Sequence, residues 1–359
     1  MKAIAGSFGP STRVWRWSAG LAVALAWPRP AATPAGQDEE TAAVSAKAAA
    51  SALRWLVAAQ NTDGSFGDNP RTPGDVSNTS VAILALLANG STVDRGPHWR
   101  ALRRAVEWLL RHTARDPGGY DTGTLIQRKL GQNIDLYMAA VAYAQLLGTQ
   151  IDAATEKVLH ERLTRMVAHI ASLQKPNGEW ESSYETSLTT ISAWLALRQA
   201  HDAGVAIHHA SPELVVRYLE ESCLDPGTGV FRDQKWGKQM RFVTQAGALR
   251  VLYAHGRDQR AVVQKATRVL LDMRFDQDVG GRAGGEEFLG ALFATHAMRQ
   301  AADATFAAWY RKIVAALARC QNADGSWLGH HCITGRVFCT ACAYIALQTP
   351  HELMTMACK

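Results

Sequence analysis

The chain has 359 residues, 47% of them hydrophobic and 19% charged, a balance that excludes a disordered protein. Its formal charge is +6, but Lys2, Arg13, Arg16 and Arg29 fall in the first 36 residues, which hold no acid; without those four the charge is +2. That is too little for a nucleic-acid-binding face, and no run of Lys and Arg interleaved with aromatics occurs elsewhere.

Residues 1–36 read as a signal peptide. Arg13 and Arg16 precede the apolar run SAGLAVALAW (18–27), which Pro28, Pro30 and the small residues AATPAG follow. The run is too short to span a bilayer, and no later segment is long and apolar enough to do so. Export to the periplasm or the extracellular space is therefore expected, with cleavage near Ala35 and residues 37–359 as the mature domain.

An amphipathic helix is expected at 48–60 (AAASALRWLVAAQ), where apolar residues recur at three- and four-residue spacing. It runs into QNTDGSF from Gln60, and a more apolar helical stretch follows at 79–90. The pattern then repeats. ALRRAVEWLLRH (101–112) leads to RDPGGY, ending at Tyr120, and to LYMAAVAYAQLLG (136–148). LHERLTRMVAHIASLQ (159–174) leads to QKPNGEW from Gln174 and SLTTISAWLALRQA (187–200). DPGTGVF ends at Phe231, and DQDVGGRAGG (276–285) precedes EFLGALFATHAM (287–298). QNADGSW starts at Gln321, and CTACAYIALQTPHELM follows from Cys339. Glycines 64, 118, 178, 229, 280 and 325 advance by about fifty residues each, within the range of repeat arrays.

Six units of polar-faced helix, glycine turn and apolar helix predict an all-α fold, an α6/α6 toroid. The apolar helices would form the inner ring, because a helix apolar all round must be covered on most sides. In each turn the Asn/Asp-Gly pair supplies the left-handed backbone that reverses the chain. The Gln is suited to pairing backbone groups left over at helix ends. The aromatic two residues after the Gly would cover the joint between units, so Trp180 and Trp327 read as rivets.

These turns, at this spacing between paired helices, resemble the prenyltransferase and squalene oxidase repeats. That superfamily contains protein prenyltransferase β subunits, squalene and oxidosqualene cyclases, and complement-like thioester domains. The resemblance covers residues 42 to 350 and is nearest to exported bacterial single-toroid members without an assigned activity. It implies the toroid but not a reaction. The cyclases share a DxDD box with a central acid; the first inner helix here opens with DVSNTS, with Ser77 and Asn78 at the acid positions. Asp75 therefore reads as a helix cap and, secondarily, as a candidate acid. Protein prenyltransferases hold zinc with an Asp-x-Cys pair and a later His. No Asp-x-Cys occurs here, and Cys339 stands where the His is expected. Lys235, Lys238 and Arg241 could imitate part of a diphosphate pocket, and the GCGEQ thioester segment is absent.

Two groups of residues remain as candidates. Asp135, Glu185, Glu286 and Glu287 fall at inner-helix starts. The helix dipole favours carboxylates there, and several facing one cavity could hold a cation or perturb one another's pKa. With Asp75, the three glutamates are the candidate catalytic set. CQNADGSWLGHHC (320–332) and the helix after it gather His330, His331, Cys332, Cys339 and Cys342, a possible zinc set. In an exported chain a Cys320–Cys332 disulfide is the favoured alternative, with Cys358 pinning the tail and Cys223 free. His296, on an apolar helix, reads as a core residue.

The expected function is that of a binding toroid without the known catalytic motifs, taking a hydrophobic small molecule or a peptide or protein partner. The alternative is an isoprenoid cyclase or prenyltransferase-like enzyme with a non-standard site. A deep apolar cavity would favour the second, and a filled barrel the first.

Overall fold

The computed structural model describes residues 38–351 apart from 116, 119, 121–122, 150–151, 183, 234–239 and 276–282. The signal-peptide expectation, Cys358, Lys235 and Lys238 lie outside the described residues.

Six helices form an inner ring: α2 (Val76–Ala88), α5 (Ile134–Leu146), α7 (Thr186–Asp202), α9 (Phe242–Ala254), α11 (Gly285–Arg299) and α13 (Arg336–Gln348). Each packs on the next, and α13 packs on α2, so the ring closes. Outside it lie α1 (Glu39–Ala58), α3 (Trp99–His112), α6 (Ala153–Ser172), α8 (Pro212–Tyr218), α10 (Ala261–Asp272) and α12 (Asp303–Cys320). The expected α/α toroid is the observed fold. Burial separates the two rings as the sequence pattern requires. Every residue of α2 is buried. Outer helix α3 buries only Leu102, Ala105, Val106, Trp108 and Leu109, one stripe at three- and four-residue spacing. The short helix α4 (Leu125–Leu130) precedes α5, and a minimal hairpin, β1 (Leu224–Asp225) with β2 (Val230–Phe231), makes the fourth turn.

The turns join neighbouring units. Gln60 donates from Nε2 to the carbonyls of Gly64 (2.9 Å) in its own turn and Ala101 (2.8 Å) of α3. Gln174 does the same to Gly178 and Ser211, and Gln321 to Gly325 (2.8 Å) and Ala48 (2.9 Å). The last of these ties the sixth unit to α1. Phe66, Trp180 and Trp327 are buried, and each donates its backbone N–H to a threonine of the following inner helix: Thr79, Thr190 and Thr340. The two indoles also donate to Ile170 and Leu317, so both tryptophans are rivets.

Two copies depart from the pattern. In the fourth turn the amide comes from Gln245 of α9, which reaches Gly229 (3.0 Å) and Ala266 (2.9 Å). In the second, Gly118 has neither a positive φ nor a close neighbour, and Tyr120 donates its N–H to Asp135 instead. Gly280 lies outside the described residues. No helix among the described residues is long and apolar enough to cross a membrane.

Among the described residues the axis of the inner ring is nearly filled. The void on its axis, lined by Val81, Leu84, Tyr137, Met138, Leu195 and Leu289 among others, measures about 20 Å³. A void of that size holds about one water.

Candidate functional site

Each outer helix runs into a turn, and each turn into the start of an inner helix, so the inner-helix starts gather at one mouth of the ring. Four segments bring charge there. Lys129 comes from α4, Glu185 stands at the residue before α7, Arg241 at the residue before α9, and Glu286 and Glu287 lie in the first turn of α11. Lys129 Nζ sits 2.8 Å from Glu185 Oε1 and 3.0 Å from Glu286 Oε1. The Arg241 guanidinium pairs with the same two oxygens, at 2.9 Å for Glu286. The Lys129 side chain is 3% exposed and both glutamates 0%, so these are buried ion pairs. Lys129 also lies over the Tyr184 ring, 4.8 Å from its centre.

A fifth segment covers this floor. Residues 329–333 lie directly on the start of α11, because Gly284, Gly285 and Gly329 have no side chains to keep them apart; a Cβ on Gly285 would collide with the Ile333 carbonyl. His330 donates its N–H to Ala283 (3.0 Å), and Gly285 donates to the His331 carbonyl (3.3 Å). Cys332 takes the left-handed φ of 59°, uncommon for a side-chain-bearing residue. The result is that His331 Nδ1 stands 3.0 Å from Cys332 Sγ and 4.0 Å from Glu286 Oε2.

Burial dominates the electrostatics. It works against the charge of Lys129, yet Glu286 and Glu185 hold that pKa above its ordinary value. It raises the Glu185 carboxyl against the pull of Lys129 and Arg241. Glu287 is pushed up to about 8 by burial and then by the Glu286 charge. Cys332 is pushed up to about 11 by the same two causes in the same order.

The Glu287 shift gives a pH prediction. From the ordinary 4.5 to about 8, the unfolded chain has lost this proton while the folded chain keeps it. The folded state then binds more protons, so stability falls as pH rises through that window and the penalty is complete above it. Glu287→Gln is expected to gain a few kcal/mol near pH 9, on the order of a few pKa units, and nothing near pH 4. Urea melts at the two pH values read the difference; equal gains at both would remove the cause.

The sequence-picked residues divide here. Glu185, Glu286 and Glu287 do come together. Asp75 does not join them: its two oxygens take the N–H and the side-chain amide of Asn78, each at 2.8 Å, as a cap. Asp135, also buried, accepts from Tyr120 at 2.5 Å. Of the Cys/His set, His331 and Cys332 meet Glu286, with one ligand atom of each within 4.8 Å of the others. Cys339 and Cys342 point into the core of α13: Cys339 lies against the Ile333 carbonyl and Cys342 on the axial void. His330 is placed by its backbone bond to Ala283. The Cys320–Cys332 disulfide is not formed; Cys332 carries a free thiol, because the glycine-seated loop turns it towards Glu286 and His331. Cys223 is free as expected, a buried thiol pushed up to about 12. Arg241 is no free diphosphate contact, since Glu185 and Glu286 neutralise it. Lys129 was not among the sequence candidates. Nothing in LIQRKL marks it, because its partners stand far along the chain.

The family model described as the prenyltransferase alpha-alpha toroid domain matches residues 37–175 and 126–306. The chain belongs to this family. A stretch of 48 residues is 44% identical to a squalene hopane cyclase of Aspergillus fumigatus, a match spanning 13% of this chain and 6% of that protein. Among solved structures, the type II terpene cyclase MstE from Scytonema, in complex with geranylgeranyl dihydroxybenzoate, superposes with a TM-score of 0.55 at 16% identity. The match covers 87% of this chain and 98% of that one. An α-1,6-mannanase from Salegentibacter gives 0.54 at 8% identity, over 87% and 99% of the two chains. At these identities the likeness is one of fold.

Proposed function

We propose that this chain is an exported binding toroid that engages its partner at the mouth of the inner ring and does not process isoprenoids within it. The observation that carries the reading is the filled axis. Its void is about 20 Å³, whereas pockets that hold small molecules run to roughly 300–1,000 Å³. The mouth, by contrast, has the make-up of a contact surface. The most exposed large hydrophobics among the described residues are Leu328 (51%) and Met240 (44%). Leu328 adjoins the loop that carries His331, and Met240 precedes Arg241. Beneath this apolar rim, Oε2 of Glu185, Glu286 and Glu287 are buried with no hydrogen-bond partner. Unpaired buried acceptors are costly and favour a donor or a cation. The partner in this reading is a peptide segment, or a hydrophobic small molecule, with a donor-rich head. Export rests on the basic leader and short apolar run of residues 1–36.

A second reading has one observation in its favour. Glu287, protonated at neutral pH and set at the mouth, has the form of a general acid for a cyclase-like enzyme with a non-standard site. It requires the axial side chains to move aside for a prenyl chain.

One experiment separates the two. The mature chain is purified from an exporting host, its N-terminus sequenced, and the protein incubated with farnesyl diphosphate, geranylgeranyl diphosphate and squalene. A new N-terminus near Gly36 and no product by gas chromatography–mass spectrometry are expected. A cyclised or transferred product that Glu287→Gln abolishes would replace the binding reading with the enzymatic one.

A further inference from the structure

We propose that Glu286, His331 and Cys332 form a mononuclear binding site for a zinc-class divalent ion at the mouth of the ring. This deepens the reading of the mouth as the working surface and rests on it. The set is not the superfamily's Asp-x-Cys pair with a later His. Here the His and Cys are adjacent, on a loop, and the carboxylate comes from the preceding inner helix.

Three observations carry the proposal. The first is geometric: one ligand atom from each of the three side chains lies within 4.8 Å of the other two, with His331 Nδ1 3.0 Å from Cys332 Sγ and 4.0 Å from Glu286 Oε2, so a side-chain adjustment of about 1 Å brings all three to the roughly 2.0–2.3 Å that a zinc-class ion requires. The second is an orphaned acceptor. Glu286 is fully buried, and its Oε2 has no hydrogen-bond partner while standing 4.0 Å from His331 Nδ1. Its other oxygen is held by Lys129 at 3.0 Å and Arg241 at 2.9 Å. The two cations thus fix the carboxylate and aim its remaining oxygen at the His–Cys pair, as outer partners of metal ligands do. The third is the loop. Gly284, Gly285 and Gly329 let its backbone lie on the start of α11, and two backbone hydrogen bonds hold it there. Those contacts present His331 and Cys332 side by side.

The donor set selects the ion. Thiolate with imidazole and one carboxylate suits zinc-class ions and not magnesium or calcium, which take oxygen ligands. On binding, the Cys332 S–H bond breaks, a sulfur–metal bond forms and one proton passes to solvent. Three protein ligands leave a fourth position for water or for a group of the partner. His331, with a side chain 41% exposed, puts that position within reach of solvent.

Cobalt(II) is the probe. The mature chain, reduced and stripped of metal with a chelator, is titrated anaerobically with cobalt chloride. One equivalent is expected to give a thiolate-to-cobalt charge-transfer band and the visible bands of a four-coordinate ion, and one equivalent of zinc should remove both. Cys332→Ser should lose the charge-transfer band and bind at least about 100-fold more weakly, in line with the cost of losing a principal ligand when outer partners alone are worth 10–100-fold. Cys339→Ser and Cys342→Ser should keep the band. Circular dichroism of each variant reports whether it has folded, and His331→Ala, on an exposed side chain, repeats the test without touching the core. Absence of the band in the parent protein, or its persistence in Cys332→Ser, overturns the site. Neither result bears on the prenyl-product assay. Cobalt binding together with prenyl turnover would keep the site and overturn the binding-toroid reading.

Discussion

Lys129→Met should lose about 3–5 kcal/mol of folding stability, the usual cost of breaking a buried ion pair from one side. The lysine is buried with two glutamates and one arginine. Removing it leaves two carboxylates sharing the Arg241 charge where water cannot take up the excess. A urea melt of the protein at pH 7 measures the loss. The double variant Lys129→Met/Glu185→Gln removes one charge of each sign and should recover much of it. A single-variant loss below about 1 kcal/mol, the scale of an exposed pair, would show that the cluster is solvated, and the orphaned oxygens would lose their significance.

Gly325→Ala should cost about 3 kcal/mol or more, and Gly118→Ala almost nothing. Gly325 has a φ of +94°, and a Cβ there would lie 2.6 Å from the Ser51 carbonyl oxygen of α1. A left-handed non-glycine residue costs about 1–3 kcal/mol, and the clash adds to that because its partner is backbone. Ser51 belongs to the first helix and Gly325 to the last turn, so the substitution presses on the seam where the ring closes. Gly118 meets nothing within 4 Å and has no positive φ. Surface changes of that kind usually fall within about 0.5 kcal/mol. Thermal melts of the two variants side by side decide the matter. Equal effects would mean that the glycines mark a repeat by descent and not by close approach.

That contrast also shows how far the sequence could be read. The three strong turns share a Gln, a glycine and an aromatic, and all three residues act alike in space: amide to the next unit, glycine against the neighbouring backbone, aromatic into the joint. A local motif with a local job is visible in one dimension. The fourth turn hides its amide because Gln245 follows the glycine by 16 residues instead of preceding it. Glu185, Glu286 and Glu287 could be picked because they fall at helix starts, which periodicity locates. Lys129 could not, since its role depends on a glutamate 56 residues away. The pairing of His331 and Cys332 with Glu286 depends on the close approach of Gly284, Gly285 and Gly329 between the last loop and the start of α11, and spacing alone favoured a disulfide. The emptiness or fullness of the ring is also beyond periodicity. Apolar positions announce that side chains point inward, but only their summed volumes decide what room is left.

The axis is closed by a few tips: Met138, Leu195, Leu289, Leu292 and Phe293, projecting from three inner helices whose backbones need not move for the space to change. Shortening such residues opens volume at roughly the size of the atoms removed, at a cost of about 2–5 kcal/mol for each leucine or methionine cut to alanine. A toroid with tied turns and a sealed seam is a scaffold on which a stopper and a vessel are near neighbours in sequence space. Passage from one to the other runs through side-chain length at a handful of positions, and the ring that holds them can stay as it is.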